Sequence, residues 1–63
     1  MTQKELLYVE DAIMHERIII SICDFMIESL EDDDLITFIE KENKKHNTML
    51  EKLEYLLKEK ANE

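Results

Sequence analysis

Four consecutive acidic residues, Glu31-Asp32-Asp33-Asp34, interrupt a helix-forming chain of 63 residues. Acidic side chains oppose the dipole at the C-terminus of a helix, but they stabilise the N-terminus of the next helix, where aspartate is also a favoured capping residue. The tract therefore predicts the end of one helix and the start of another. Because a connection of three or four residues makes neighbouring helices antiparallel, the sequence predicts an all-α fold, a two-helix antiparallel hairpin.

The two predicted helices extend from this turn towards both ends of the chain. Thr2 and Glu5 have the spacing of a capping box, which places the first helix at about residues 3–30. The second helix is predicted at about residues 34–60, where Lys58 and Lys60 suit the C-terminal end of the helix dipole. Glycine and proline are both absent. Residues 1–63 therefore form a single helical-hairpin domain, with an acidic turn at about residues 31–34.

Charge and cysteine content narrow the possible functions. Acidic residues outnumber basic ones 16 to 8, and the net charge of −8 argues against nucleic acid and anionic membranes as partners. The longest uncharged stretch, residues 18–23, is far shorter than the ~20 residues that span a bilayer. Cys23 is the only cysteine, so no internal disulfide forms. One unpaired thiol and an N-terminus without the apolar segment of a signal peptide lead us to expect a cytoplasmic protein.

The first helix is apolar on more of its circumference than one neighbouring helix can cover. Of the 25 residues from 6 to 30, 16 are apolar, and the polar stripe consists of Glu10, Arg17, Ser21, Asp24 and Glu28. A helix of this kind needs more than one neighbour, so we expect a homodimer in which two hairpins form a four-helix bundle. A monomer with an exposed apolar face and a complex with another protein are the alternatives. The predicted interface residues are Ile18, Ile19, Ile22, Phe25 and Met26.

The second helix has a narrower apolar face, which two ionisable residues interrupt. At 100° per residue its apolar side chains fall in one arc, which contains Leu35, Phe38, Ile39, Met49, Leu50, Leu53, Leu56 and Leu57. Glu42 and His46 project into the middle of this arc. On the first helix His15 projects close to the centre of the apolar arc, with Glu16 nearer its edge. With a turn near residue 32, we expect these four side chains at similar heights along the hairpin.

This predicted cluster of His15, Glu16, Glu42 and His46 has more than one interpretation. Imidazole and carboxylate groups inside a helical bundle are the ligands of iron, manganese and zinc sites. The cluster is therefore a candidate site for a divalent metal, although we expect no cofactor. A Glu–His hydrogen bond that fixes helix register without a metal is the favoured alternative, and partial solvation at the edge of the bundle is a third. No nucleophile with a neighbouring base is visible in the sequence, so we expect no enzymatic activity.

Residues 38–53, which read Phe-Ile-Glu-Lys-Glu-Asn-Lys-Lys-His-Asn-Thr-Met-Leu-Glu-Lys-Leu, resemble the second helix of the ferritin-like superfamily, including rubrerythrin-like and spore-coat-F-like proteins. The resemblance implies a half-ferritin hairpin that dimerises into a four-helix bundle, with a metal-binding glutamate on the first helix. His46 matches the family histidine. The family motif E-x-x-H places glutamate where this chain has Asn43, and Glu42 lies one residue away. Glu10 fits the family spacing of the first-helix glutamate, and Glu16 fits the hairpin geometry.

Three functions from different classes follow from these observations. The first is a small acidic ferritin-like protein with a structural or protein-interaction role and no catalysis. The second is a metal-binding half-ferritin dimer that uses Glu16, Glu42 and His46. The third is a helical adaptor or regulator that docks the apolar face of its first helix onto another protein. We favour the first function, because the ligand set of the family is incomplete.

Overall fold

The protein, in a computed structural model, is a hairpin of two antiparallel helices. The structure describes residues 1–61, the last of them by its backbone alone. Helix α1 is Gln3–Ser29 and helix α2 is Asp33–Ala61, and no strand occurs in this part of the chain. The Cα atoms extend over 47 × 14 × 11 Å. The predicted all-α hairpin and its short connection are therefore confirmed. Within the described residues, neither helix contains a stretch that is long and apolar enough to cross a membrane.

Side-chain caps begin both helices at the predicted places. The Thr2 hydroxyl accepts the backbone N–H of Glu5 at 3.1 Å, and the Glu5 carboxylate accepts the backbone N–H of Thr2 at 2.7 Å. This second hydrogen bond stabilises the charged carboxylate and lowers the pKa of Glu5 below its ordinary value of 4.5. At the turn, the Asp32 carboxylate accepts the backbone N–H of Leu35 at 3.0 Å. The two aspartates that follow lie in the first turn of α2, where the helix dipole favours them.

The helices meet along a seam whose positions alternate in spacing between three and four residues, as in a coiled coil. On α1 and just after it, the seam consists of Leu6, Val9, Ile13, Glu16, Ile20, Cys23, Ile27 and Leu30. On α2 it consists of Ile36, Ile39, Asn43, His46, Leu50, Leu53 and Leu57. Among residues 1–60, only Ile13 and Cys23 are buried, with 6% and 7% of their surface exposed. The other seam residues are half-buried, so the isolated hairpin has almost no closed core.

The predicted apolar arc of α2 divides into two groups in the structure. Four of its residues lie in the seam: Ile39, Leu50, Leu53 and Leu57. The other four are exposed: Leu35, Phe38, Met49 and Leu56. Ile36, which the projection left outside the arc, is also a seam residue. The difference arises because residues that pack along a neighbouring helix follow a repeat of 3.5 residues, from which a 100° projection drifts by about 20° per heptad.

Candidate functional site

One broad side of the hairpin is apolar, and we call it the apolar face. A surface groove lined by Tyr8 and Val9 of α1 and by Leu56 of α2 shows that these parts of the two helices share this side. At heptad spacing from Tyr8 and Leu56 lie Ile22, Met49 and Leu35, together with the polar residues His15 and Glu42. The apolar members of the face on α1 are Tyr8, Ala12, Ile18, Ile19, Ile22, Phe25 and Met26, and those on α2 are Leu35, Phe38, Met49 and Leu56. Both helices therefore contribute to one apolar face.

The five predicted interface residues belong to this apolar face. Ile18, Ile22 and Phe25 are 50%, 53% and 68% exposed, and Ile19 and Met26 are half-buried beside the seam. Soluble monomers rarely expose a contiguous apolar patch of more than a few hundred Å², and larger patches mark interaction sites. An interface that another molecule covers must be exposed in the isolated hairpin. These side chains meet that requirement. Their role in a dimer stays a prediction.

The opposite side of the hairpin is polar, and its side chains contact one another. The Asn43 side-chain amide donates to the Asp24 carboxylate at 2.8 Å, and the Asn47 side-chain amide donates to the backbone carbonyl of Asn43 at 2.9 Å. Arg17 lies 3.7 Å from the carboxylate of Glu54. All five residues of the predicted polar stripe are exposed, which confirms it.

Two of the four candidate metal ligands meet in the seam. The Nδ1 atom of His46 lies 2.6 Å from a carboxylate oxygen of Glu16, and the two side chains are 31% and 17% exposed. A carboxylate only accepts hydrogen bonds, so the Nδ1–H of His46 is the donor. The two residues occupy seam positions on facing helices, where a coiled coil ordinarily carries apolar side chains. The predicted polar contact between the helices is present, and Glu16 is the carboxylate that makes it.

The other two candidate ligands, Glu42 and His15, lie outside the seam on the side of the apolar face. The Glu42 carboxylate accepts a hydrogen bond from Lys45 at 3.2 Å. His15 is exposed, and its Nδ1–H donates to the backbone carbonyl of Asp11 at 2.7 Å. The seam passes through Glu16, whereas His15 lies on the side of α1 that carries Tyr8 and Ile22. Within residues 1–60, no three histidine, cysteine, aspartate or glutamate side chains are grouped so that they could hold a metal ion.

A hydrogen bond between Asn43 and Asp24 was not expected from the sequence. Asp24 belongs to the predicted polar stripe, and Asn43 stood out only as a departure from a family motif. The signal that locates Asn43 in the seam is its spacing, seven residues after Ile36 and seven before Leu50. An amide at such a position reaches the edge of the seam and meets the carboxylate on the polar side.

Comparison of the chain with family models, with curated proteins and with solved structures finds no match. The resemblance to the ferritin-like superfamily therefore stays a prediction that rests on residues 38–53.

Proposed function

We propose that this chain is a structural or protein-interaction module without catalysis of its own, and that two copies pair through the apolar face to form a four-helix bundle. The observation that carries this proposal is the exposure of large apolar side chains. Twelve of them, among the described residues, are between 41% and 68% exposed, and eight of these twelve belong to the apolar face. A chain of about 60 residues buries only about 60% of the surface of its unfolded form, which makes a monomer marginally stable.

A second hairpin on the apolar face supplies the missing core. Complete burial of an isoleucine or phenylalanine side chain contributes about 1.5–3 kcal/mol. Covering Ile22 and Phe25, which are 53% and 68% exposed, therefore contributes about 1 kcal/mol or more for each side chain. The hairpin gains this stability only when its partner is bound, so folding and association are coupled.

The solution mass tests this proposal directly. In sedimentation equilibrium at micromolar concentration, we expect about twice the 7.6 kDa mass of the chain. Helicity measured by circular dichroism should fall on dilution as the dimer dissociates. A fully helical monomer of 7.6 kDa at this concentration would contradict the proposal and would favour the adaptor, which waits for a different protein.

We also propose that this bundle is ferritin-like and that the protein is cytoplasmic. The likeness of residues 38–53 to the second helix of half-ferritins supports the bundle, since those hairpins dimerise. The single thiol of Cys23, which is unpaired and buried, supports a reducing compartment.

Metal binding is a second candidate function, and one contact favours it. A metal-bound histidine commonly donates its other ring N–H to a carboxylate, and His46 donates its Nδ1–H to Glu16. The Nε2 atom is then the one that would bind a metal. Zinc sites use three or four protein ligands, so a complete site needs side chains from a second copy.

Metal content and melting in a chelator distinguish this candidate from a purely structural contact. If a metal is bound, purified protein contains it in near-stoichiometric amounts, and a chelator lowers the melting temperature until one particular metal is restored. If the contact between Glu16 and His46 only fixes the register of the helices, a chelator changes nothing.

A further inference from the structure

The negative charge of this chain is concentrated at one end of the hairpin. Residues 24–40 form the end of α1, the turn and the start of α2. They contain seven acidic residues and no lysine or arginine. The remainder of the chain contains nine acidic and eight basic residues, so the turn end carries −7 of the net charge of −8. We call residues 24–40 the acidic end.

The acidic end is compact, whereas the apolar face runs along most of the hairpin. At 1.5 Å per residue, residues 24–40 lie within about 12 Å of the tip of the turn along the helix axes. The molecule is 47 Å long. The apolar face begins with Tyr8 and Leu56 near the chain ends and reaches Phe25 and Leu35 at the acidic end. A second copy that covers this face must therefore place its own acidic end either beside the first one or far from it.

We infer that the second copy covers the apolar face in the opposite orientation, so that the turn of each hairpin lies beside the chain ends of the other. This inference rests on the proposed function, because it specifies how the two copies pair. The two-fold axis lies perpendicular to the helices. It passes near the contact between Glu16 and His46, which is close to the middle of both helices.

Electrostatic repulsion selects this orientation. If both copies point the same way, two clusters of seven acidic residues lie side by side, at the 8–10 Å spacing of packed helices. That spacing is about one Debye length at physiological salt, so the repulsion is only partly screened. If the copies point in opposite directions, the clusters lie at opposite ends of a bundle about 47 Å long, and their repulsion is negligible.

The size of the face also fits a second copy. Its footprint of 47 Å by 14 Å is roughly 660 Å² before the side chains are included, and a standard interface buries about 800 Å² on each partner. Because a second copy has the same length, it covers the whole face in either orientation. A second copy of the chain is therefore a partner of the same length with the same apolar pattern.

Three pairs of residues at equal heights complement each other in the opposite orientation. The two-fold axis places a residue of α2 level with the residue 30 positions earlier on the α1 helix of the other copy. Lys41, which lies in a groove with Phe38 and Met49, is then level with Asp11 of the partner subunit. Phe38 is level with Tyr8 of the partner subunit, and Met49 is level with Ile19 of the partner subunit. Apolar residues also face one another when the copies point the same way, so the charge decides between the orientations.

Distances between spin labels test the orientation. Cys23 is replaced by alanine, and a single cysteine is introduced at Glu31 in the turn or at Thr48, which is exposed near the middle of α2. For Glu31→Cys we expect a distance between the two labels of about 40 Å or more, because the turns lie at opposite ends of the bundle. Thr48→Cys is the matched control, because its labels lie at similar heights in either orientation. Its distance should stay below about 30 Å, the width of a four-helix bundle.

The possible results separate this inference from the proposed function. A short distance for both labels would show a dimer whose copies point the same way, which overturns the orientation and keeps the dimer. The absence of any distance between labels, together with a mass of 7.6 kDa, would overturn both. The unmodified chain provides a second measurement. Between 50 and 500 mM salt, its dimer dissociation constant should change by less than about threefold, whereas adjacent acidic ends would tighten the dimer by more than about tenfold as salt screens them.

Discussion

Residues that flank the seam on one side of the hairpin are polar and contact one another, whereas residues that flank it on the other side are apolar and exposed. Asp24, Asn43 and Asn47 form a chain of hydrogen bonds on the polar side. Ile22 and Phe38 on the apolar face are more than half exposed. The same seam serves both sides, so packing within the hairpin does not require either composition. This difference between the two sides is the basis of the proposed contact outside the hairpin.

The strongest test of this comparison places the same charge on each side at adjacent positions. We expect Ile22→Asp to weaken dimerisation by about 100-fold or more, because burying an unpaired charge in an apolar interface costs several kcal/mol. Ser21→Asp is the matched control on the polar side, and it should change the dissociation constant by less than about threefold, because its charge stays in water. Sedimentation equilibrium measures both constants. Equal effects of the two variants would remove the distinction between the sides.

The next largest effect concerns the polar contact in the seam between the two sides. We expect His46→Ala to lower the free energy of unfolding by about 1–3 kcal/mol, because Glu16 then loses its partner in a half-buried position. The double variant Glu16→Leu/His46→Leu should recover most of this loss, since two apolar seam residues leave no polar group unpaired.

Urea denaturation at one fixed chain concentration measures these differences, because the stability of a dimer depends on its concentration. If the double variant were as unstable as His46→Ala, the contact would do more than fix the register of the two helices. That result would strengthen the case for a bound ligand or metal at His46.

The local signals in the sequence predicted the backbone of this hairpin well. The capping box of Thr2 and Glu5 and the acidic tract depend on residues three or four positions apart, so they locate both helix starts without knowledge of the packing. The predicted start of α1 is the observed one, and the predicted end of α1 and both predicted ends of α2 differ from the observed ones by one residue. Short-range chemistry determines these features.

The side of the helix on which each side chain lies was predicted less well. Ile36 and Asn43 were not assigned to the seam, and of the four side chains predicted to cluster, Glu16 and His46 are the two that contact each other. Such assignments depend on how two helices wind around each other, and a wheel drawn for one straight helix accumulates an error with every heptad. The apolar face was partly found, because its residues on α1 exceed what one neighbour can cover. Its continuation over α2 became visible only from the packed pair.

A smaller effect is expected at the turn, which belongs to neither side. Asp32→Ala should lower the free energy of unfolding by about 1 kcal/mol, because the backbone N–H of Leu35 loses its acceptor. Asp33→Ala, the matched control, should cost only about 0.3–1 kcal/mol, since its charge acts through the helix dipole alone. Thermal melting at fixed concentration measures both. Equal losses would show that charge, and not the capping hydrogen bond, starts α2.

The smallest effect is expected on the polar side itself, at the ion pair of Arg17 and Glu54. These side chains are 63% and 48% exposed and lie 3.7 Å apart, so water and salt screen their attraction. A double-mutant cycle with Arg17→Ala and Glu54→Ala should give a coupling free energy of about 0.2–1 kcal/mol, near the lower end of that range.

Neither variant of this cycle should weaken the dimer, because both positions lie on the side that the second copy does not cover. Sedimentation equilibrium of the two single variants checks this directly. A coupling above about 1 kcal/mol would exceed what exposed ion pairs contribute, and it would show that the pair is shielded from water in solution. Since the hairpin itself leaves both side chains open to solvent, only a molecule bound on the polar side could shield them. That outcome would add a second interaction surface to the one proposed on the apolar face.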